Sequence, residues 1–131
     1  MKYLRIESTK FTPGIVLDPV NKVFEFYGFS LPENATEFYE PVLYWLNQYK
    51  IELLNNPPGD TELNVFFKMI YYNSSSLRLL VDIFHIFSDI NQKGHSVNLN
   101  WYYDGEDPQM AEAGKELGDI SKIPVKVLEI E

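Results

Sequence analysis

Asn73, Ser74, Ser75 and Ser76 stand between a long apolar run and a long helical period, and theirs is the most distinctive local chemistry in the chain. Their ordinary duty is helix capping, in which one Asn or Ser oxygen accepts a bond from a first-turn backbone N–H. A regulated hydroxyl is the sharper reading. A phosphoryl group there adds about −1.5 to −2 charges beside the positive end of a helix dipole, so the domain can carry it without unfolding. Arg78, four residues after Ser74, is placed to reach a phosphate or to be held by Asp82 when there is none.

Other chemistry has weaker support. Ser74 at a strand-to-helix turn superficially resembles a nucleophile elbow, but no Gly flanks it and no His follows an Asp or Glu in a recognisable motif. His85 and His95 have no second ligand beside them at a zinc-binding spacing. The acidic group Asp104, Glu106 and Asp107 lacks the alternation and Gly of an EF-hand loop and reads as a solvated turn feeding a helix N-terminus. No glycine-rich phosphate cradle occurs. The expectation is no metal site, no cofactor and no catalytic residue.

The elements that must position the turn follow from periodicity. Tyr3–Glu7, Ile15–Leu17 and Lys22–Tyr27 read as strands separated by turn residues, so the chain opens as an antiparallel meander. After a loop over Gly28–Pro32, Asn34 and Glu37 form a capping-box pattern. Phe38, Val42, Trp45, Leu46, Tyr49 and Leu53 then share one helical stripe, with Pro41 bending the helix or delaying its regular part. Residues 55–60 make a loop. Glu62–Tyr72 is apolar on both faces for most of its length, which predicts a central strand covered on both sides. A helix over Leu77–Lys93 capped by Gly94, a strand over His95–Tyr103, a helix over Pro108–Leu117 and a last strand with Val125, Val127 and Ile130 complete the chain. The predicted fold is α/β, a mixed sheet in the order β-β-β-α-β-α-β-α-β with helices packed against it and parallel later strands.

The helix after the serines has a narrow polar stripe of Arg78, Asp82, His85, Asp89 and Gln92, and its apolar arc is wider than the roughly 100° needed to seat on a sheet. Two readings stay open. Either a neighbouring helix covers the excess, or Leu79, Ile83 and Ile86 stay uncovered and join Asn73, Ser75, Ser76, Arg78 and Asp82 in a partner-binding surface.

Composition bounds the partners. The 131 residues suit one domain, and 19 acids against 11 bases give a net charge of −8, which argues against nucleic-acid and membrane-surface roles. The absence of cysteine excludes a disulfide framework and thiol chemistry. With no signal-peptide pattern and no uncharged apolar run approaching about 18 residues, a cytoplasmic protein is expected.

Element order and the serine cluster resemble the STAS fold of anti-sigma-factor antagonists, whose phosphorylatable Ser occupies this turn. Four separated pieces are more closely similar to the SiaC family of regulatory phosphoproteins: Thr12, Pro13, Ile15 and Asp18; Pro32, Glu33, Asn34, Glu37 and Phe38; the run Tyr71–Arg78; and Trp101, Tyr102, Tyr103 and Asp104. Together they span most of the chain. The resemblance implies a non-enzymatic switch in cyclic-di-GMP signalling, which unphosphorylated binds and stimulates a diguanylate cyclase. It further implies a dedicated Ser/Thr kinase and a PP2C-type phosphatase. It puts the phosphoacceptor at Ser74, where the family's better-known example has Thr, with Ser75 as the alternative. An anti-sigma-factor antagonist and a small serine hydrolase around Ser74 are the competing expectations.

Overall fold

The computed structural model describes residues 1–57 and 61–130. Among these, six strands and three helices follow in the expected order: β1 (Leu4–Ile6), β2 (Gly14–Asp18), β3 (Val23–Ser30), α1 (Ala35–Leu54), β4 (Glu62–Tyr72), α2 (Ser74–Gln92), β5 (Ser96–Asp104), α3 (Pro108–Ser121) and β6 (Val125–Ile130). Of the loop expected over residues 55–60, Pro58, Gly59 and Asp60 lie outside the described residues.

The strands form one sheet in sequential order, β1 to β6. β1, β2 and β3 pair antiparallel, and β3, β4, β5 and β6 pair parallel. Each βαβ crossover steps to the next strand in the same direction, and crossovers of one hand then place all three helices on one face. This overturns the expectation that β4 is covered on both sides. Leu63, Val65, Phe67 and Met69 are buried beneath the helices, whereas Phe66 is half-buried, Lys68 is exposed and Ile70 is 59% exposed on the other face.

The core lies between sheet and helices and is strongly aromatic. Phe26 stacks on Phe67 at 4.8 Å between ring centroids, and Phe67 touches Phe84 at 4.9 Å and Trp101 at 5.5 Å. Trp101 is sealed, its indole N–H donating to the Met110 carbonyl at 2.8 Å. Helix α1 starts as predicted, with Asn34 Oδ1 accepting the Glu37 N–H at 3.0 Å. It continues through Pro41 as one element. Its buried stripe contains Tyr39, Val42, Trp45, Leu46, Tyr49 and Leu53, so Tyr39 takes the place expected of Phe38, which is only half-buried.

Two boundaries differ in ways that matter for the turn. β3 extends beyond Tyr27 to Ser30, because Gly28 adopts φ +94° and the pairing with β4 resumes after a register shift, Gly28 opposite Met69 and Phe29 opposite Tyr71. Helix α2 begins at Ser74 rather than Leu77, because Asn73 is its N-cap and the serines form its first turn.

Gly114 supplies a test of the packing. A Cβ there would lie 2.5 Å from Trp101 Cδ1. In an open helix Gly→Ala gains up to about 1 kcal/mol, but overpacking a sealed site costs about 1–3 kcal/mol. Gly114→Ala is therefore expected to lower stability, read as a reduced urea midpoint at unchanged slope.

Candidate functional site

The turn from β4 into α2 is held from beneath by a short chain of buried polar groups. The Asn73 N–H donates to the Ser30 carbonyl at 3.1 Å, and Asn73 Oδ1 accepts the Ser76 N–H at 2.9 Å. Ser76 Oγ donates to the same Ser30 carbonyl at 3.0 Å, and Ser30 Oγ donates to Ser76 Oγ at 2.7 Å. Tyr39 OH lies 2.7 Å from Ser30 Oγ. Each hydroxyl has one proton. With those of Ser30 and Ser76 already committed, Tyr39 must be the donor in the last contact. Burial pushes the Tyr39 phenol up to about 12, against a smaller opposing effect of its Ser30 bond, which keeps it a donor at neutral pH.

This arrangement sorts the four candidate residues of the turn. Ser76 is sealed, its hydroxyl committed to Ser30, so it is unavailable to a partner. Asn73 is half-buried and serves as the cap. Ser74 and Ser75 are exposed, and neither hydroxyl has a hydrogen-bond partner among the described residues. The resulting surface is a pair of free hydroxyls on a pinned backbone at the positive end of a 19-residue helix.

Arg78 is exposed but is not held by Asp82. Its Nη2 donates to Thr36 Oγ1 at 2.7 Å, because the first turns of α1 and α2 lie side by side. Asp82, His85, Asp89 and Gln92 are exposed as their stripe requires, and Asp89 meets Lys50 of α1 at 3.3 Å. Leu79, Ile83 and Ile86 are buried, which corrects the reading that they stay uncovered. α2 contacts α1 on one side and α3 on the other, so its wide apolar arc is seated on two helices as well as on the sheet.

Sequence reasoning missed both Ser30 and Tyr39. Ser30 falls in a stretch whose composition reads as a loop, and a tyrosine one position from an aromatic stripe gives little warning of a buried hydroxyl. It also missed a shallow groove of about 100 Å³ between α2 and α3, one turn from Ser74, whose walls include Leu77, Val81 and Ile120. Leu77 and Ile120 are partly exposed there. Burial, with Glu116 and Asp107 adding to it, raises the phenol of Tyr72 beside this groove.

The two histidines lie away from the serine turn. His85 lies eleven residues along α2 from Ser74, about 16 Å at 1.5 Å per residue, and His95 follows the far end of the helix, so neither is a base for the Ser74 hydroxyl. His95 is buried with Nδ1 unpartnered. Among the described residues no group of three or more His, Asp or Glu side chains is placed to hold a metal ion, and no helix is long and apolar enough to cross a membrane.

A family model described as SiaC family regulatory phosphoprotein matches residues 6–130. An uncharacterised protein of Pseudomonas aeruginosa (strain UCBPP-PA14) is 28% identical over 127 residues, which cover 97% of this chain and 96% of that protein. The crystal structure of apo-SiaC from Pseudomonas aeruginosa superposes with a TM-score of 0.85 at 27% identity, covering 98% of this chain and 99% of that one. A chain in the crystal structure of the diguanylate cyclase SiaD in complex with its activator SiaC, from the same organism, gives 0.85 at 27% identity, covering 97% and 99%.

The buried hydroxyl chain makes two measurements informative. Ser30→Ala removes the acceptor of the buried Tyr39 hydroxyl, while Ser76 Oγ keeps its bond to the residue-30 carbonyl, and it is expected to cost about 1–3 kcal/mol in denaturant unfolding. Tyr39 has its folded pKa raised to about 12 from 10.0, so its contribution is complete below pH 10 and lost as pH climbs toward 12. Stability should fall across that window, and Tyr39→Phe should flatten the fall relative to wild type. Tyr49, also raised to about 12 by burial, accounts for a remaining slope.

Proposed function

Because this chain belongs to the SiaC family of regulatory phosphoproteins, we propose that it is a phosphorylation-controlled partner switch whose unphosphorylated form binds and stimulates a diguanylate cyclase. The observation that carries this reading is the exposed, unpartnered Ser74 hydroxyl on a turn pinned by Asn73, Ser76, Ser30 and Tyr39. Such a hydroxyl can take on and lose a dianion while the backbone stays where it is. The similar SiaC seen in complex with the cyclase SiaD as its activator supports a cyclase as the effector. The same likeness is why the anti-sigma-antagonist reading is set aside.

In this scheme a Ser/Thr kinase phosphorylates Ser74, with Ser75 the adjacent alternative, and a PP2C-type phosphatase restores it. The chain acts in the cytoplasm and catalyses nothing itself. Its effector docks on the exposed beginning of α2, where Ser74, Ser75, Leu77, Arg78 and Asp82 face outward with Asn73 beside them. A phosphate at Ser74 is tolerated by the first-turn N–H groups, and Arg78 is four residues along the helix to pair with it in place of Thr36. For the docked partner the same phosphate is an uninvited dianion at the centre of the contact.

Labelling by the cognate kinase, read by tandem mass spectrometry, should place the phosphate on Ser74. Ser74→Ala should abolish incorporation, keep cyclase binding and melt like wild type, whereas Ser74→Asp should bind the cyclase about tenfold or more weakly. Phosphate found on Ser75 or elsewhere overturns the assignment. In the phosphoprotein, a phosphorus NMR titration should show the second phosphate ionisation held below its usual value near 6, and Arg78→Ala should raise it.

A further inference from the structure

The bare face of the sheet is the least explained surface in the molecule. β3, β4, β5 and β6 are parallel, and parallel sheets are almost always covered on both sides. Here the side opposite the helices presents Tyr27, Phe29, Phe66, Ile70, Tyr102 and Leu128, with Phe29 and Ile70 exposed and the others half-buried. The register shift beyond Gly28 enlarges this patch. It inserts Ile70 as an extra residue on β4, so that both Ile70 and Tyr71 are exposed.

We propose that this face is an interface between two copies of the chain, packed sheet to sheet about a twofold axis. Charge supports a second copy as the occupant. The face carries Arg5, Lys68 and Lys126 against Asp18, Glu25, Glu62 and Asp104, nearly balanced in a chain whose net charge of −8 makes most of its surface repel its own kind. Lys68 lies over the rings of Phe66 and Tyr102 at 5.6 and 5.5 Å, and Glu25 is its diagonal neighbour across the β3–β4 ladder. Neither makes an ion pair among the described residues. A twofold axis running in the interface plane between them sets each copy's Lys68 ammonium over the other copy's Glu25 carboxylate, an isologous pairing.

The area is of the right order. Six strands about 4.8 Å apart and roughly 20 Å long give on the order of 500 Å² in projection, more with side-chain relief, comparable with the ~800 Å² per partner of a stable dimer. The interface lies on the far side of the sheet from the helix layer that bears Ser74, so the dimer and the switch stand or fall separately.

The test is sedimentation velocity with light scattering on the full chain over about 1–100 µM, a range that brackets ordinary homodimer affinities. Wild type should be a dimer at the upper end. Ile70→Asp and Lys68→Glu, both at exposed positions, should weaken dimerisation about tenfold or more while circular dichroism and melting stay those of a folded chain. The double exchange Glu25→Lys with Lys68→Glu should restore it. A wild type that remains monomeric throughout, as it would if the face served a different protein, overturns the proposal. So does a dimer indifferent to Ile70→Asp and Lys68→Glu, or a double exchange that fails to restore association.

Discussion

The hydrogen-bonded chain from Tyr39 through Ser30 to Ser76 is the constraint on which the site depends. It joins three elements that have no sequence proximity: the end of β3, the first turns of α1 and the first turn of α2. Left unmatched, buried hydroxyls destabilise a core, each by roughly 1–3 kcal/mol. Satisfied end to end, they admit few alternative geometries. The Ser30 carbonyl is the anchor, accepting from both the Asn73 backbone and the Ser76 side chain. With the backbone fixed on either side, the positions of the Ser74 and Ser75 side chains no longer depend on what those side chains carry. That is the physical requirement for a modification that changes recognition without changing fold.

Much of this was legible in the sequence, and the rest failed for identifiable reasons. Alternation and helical period located every strand and helix, since those signals depend only on which residues avoid water. The face of the helix in the serine turn was not legible, because it depends on which residue caps. With Asn73 as N-cap, Ser76 falls on the inner side and Ser74 on the outer. The wide apolar arc of α2 was read correctly, but its covering by two flanking helices, which buries Leu79, Ile83 and Ile86, is a property of the layer. Likewise the apolar content of both faces of β4 was real, while the inference of a second cover was wrong, because sequential strand order with crossovers of one hand leaves one side bare.

In the proposed switch, a phosphate at this turn acts on partners through local electrostatics. The chain is acidic overall, so one added dianion changes its distant field by a modest fraction. Locally the change is large, because the beginning of α2 otherwise offers free N–H groups, the Arg78 guanidinium and neutral hydroxyls. The bond from Arg78 to Thr36 is between exposed groups and is weak enough to be exchanged for a charge-assisted one. In the proposed switch the response is therefore a rotamer change of one long side chain at the junction of α1 and α2, across α2 from the groove that holds Leu77 and Ile120.

The register shift on β4 ties the two sides of the sheet together. Up to Met69 the strand keeps strict alternation, its apolar set beneath the helices. Had that alternation continued unbroken, Tyr72 would face the bare side and its contact with Trp101, at 6.4 Å between ring centroids, would not form. One inserted residue at Ile70 restores Tyr72 to the core side and brings it opposite Ser30, to whose carbonyl the Asn73 N–H donates. The cost is an isoleucine turned to the open face. The same single residue thus sets the phase of the turn that presents Ser74 and creates the most exposed apolar position on the uncovered sheet, so a change to either surface has to be made without disturbing the bulge that serves both.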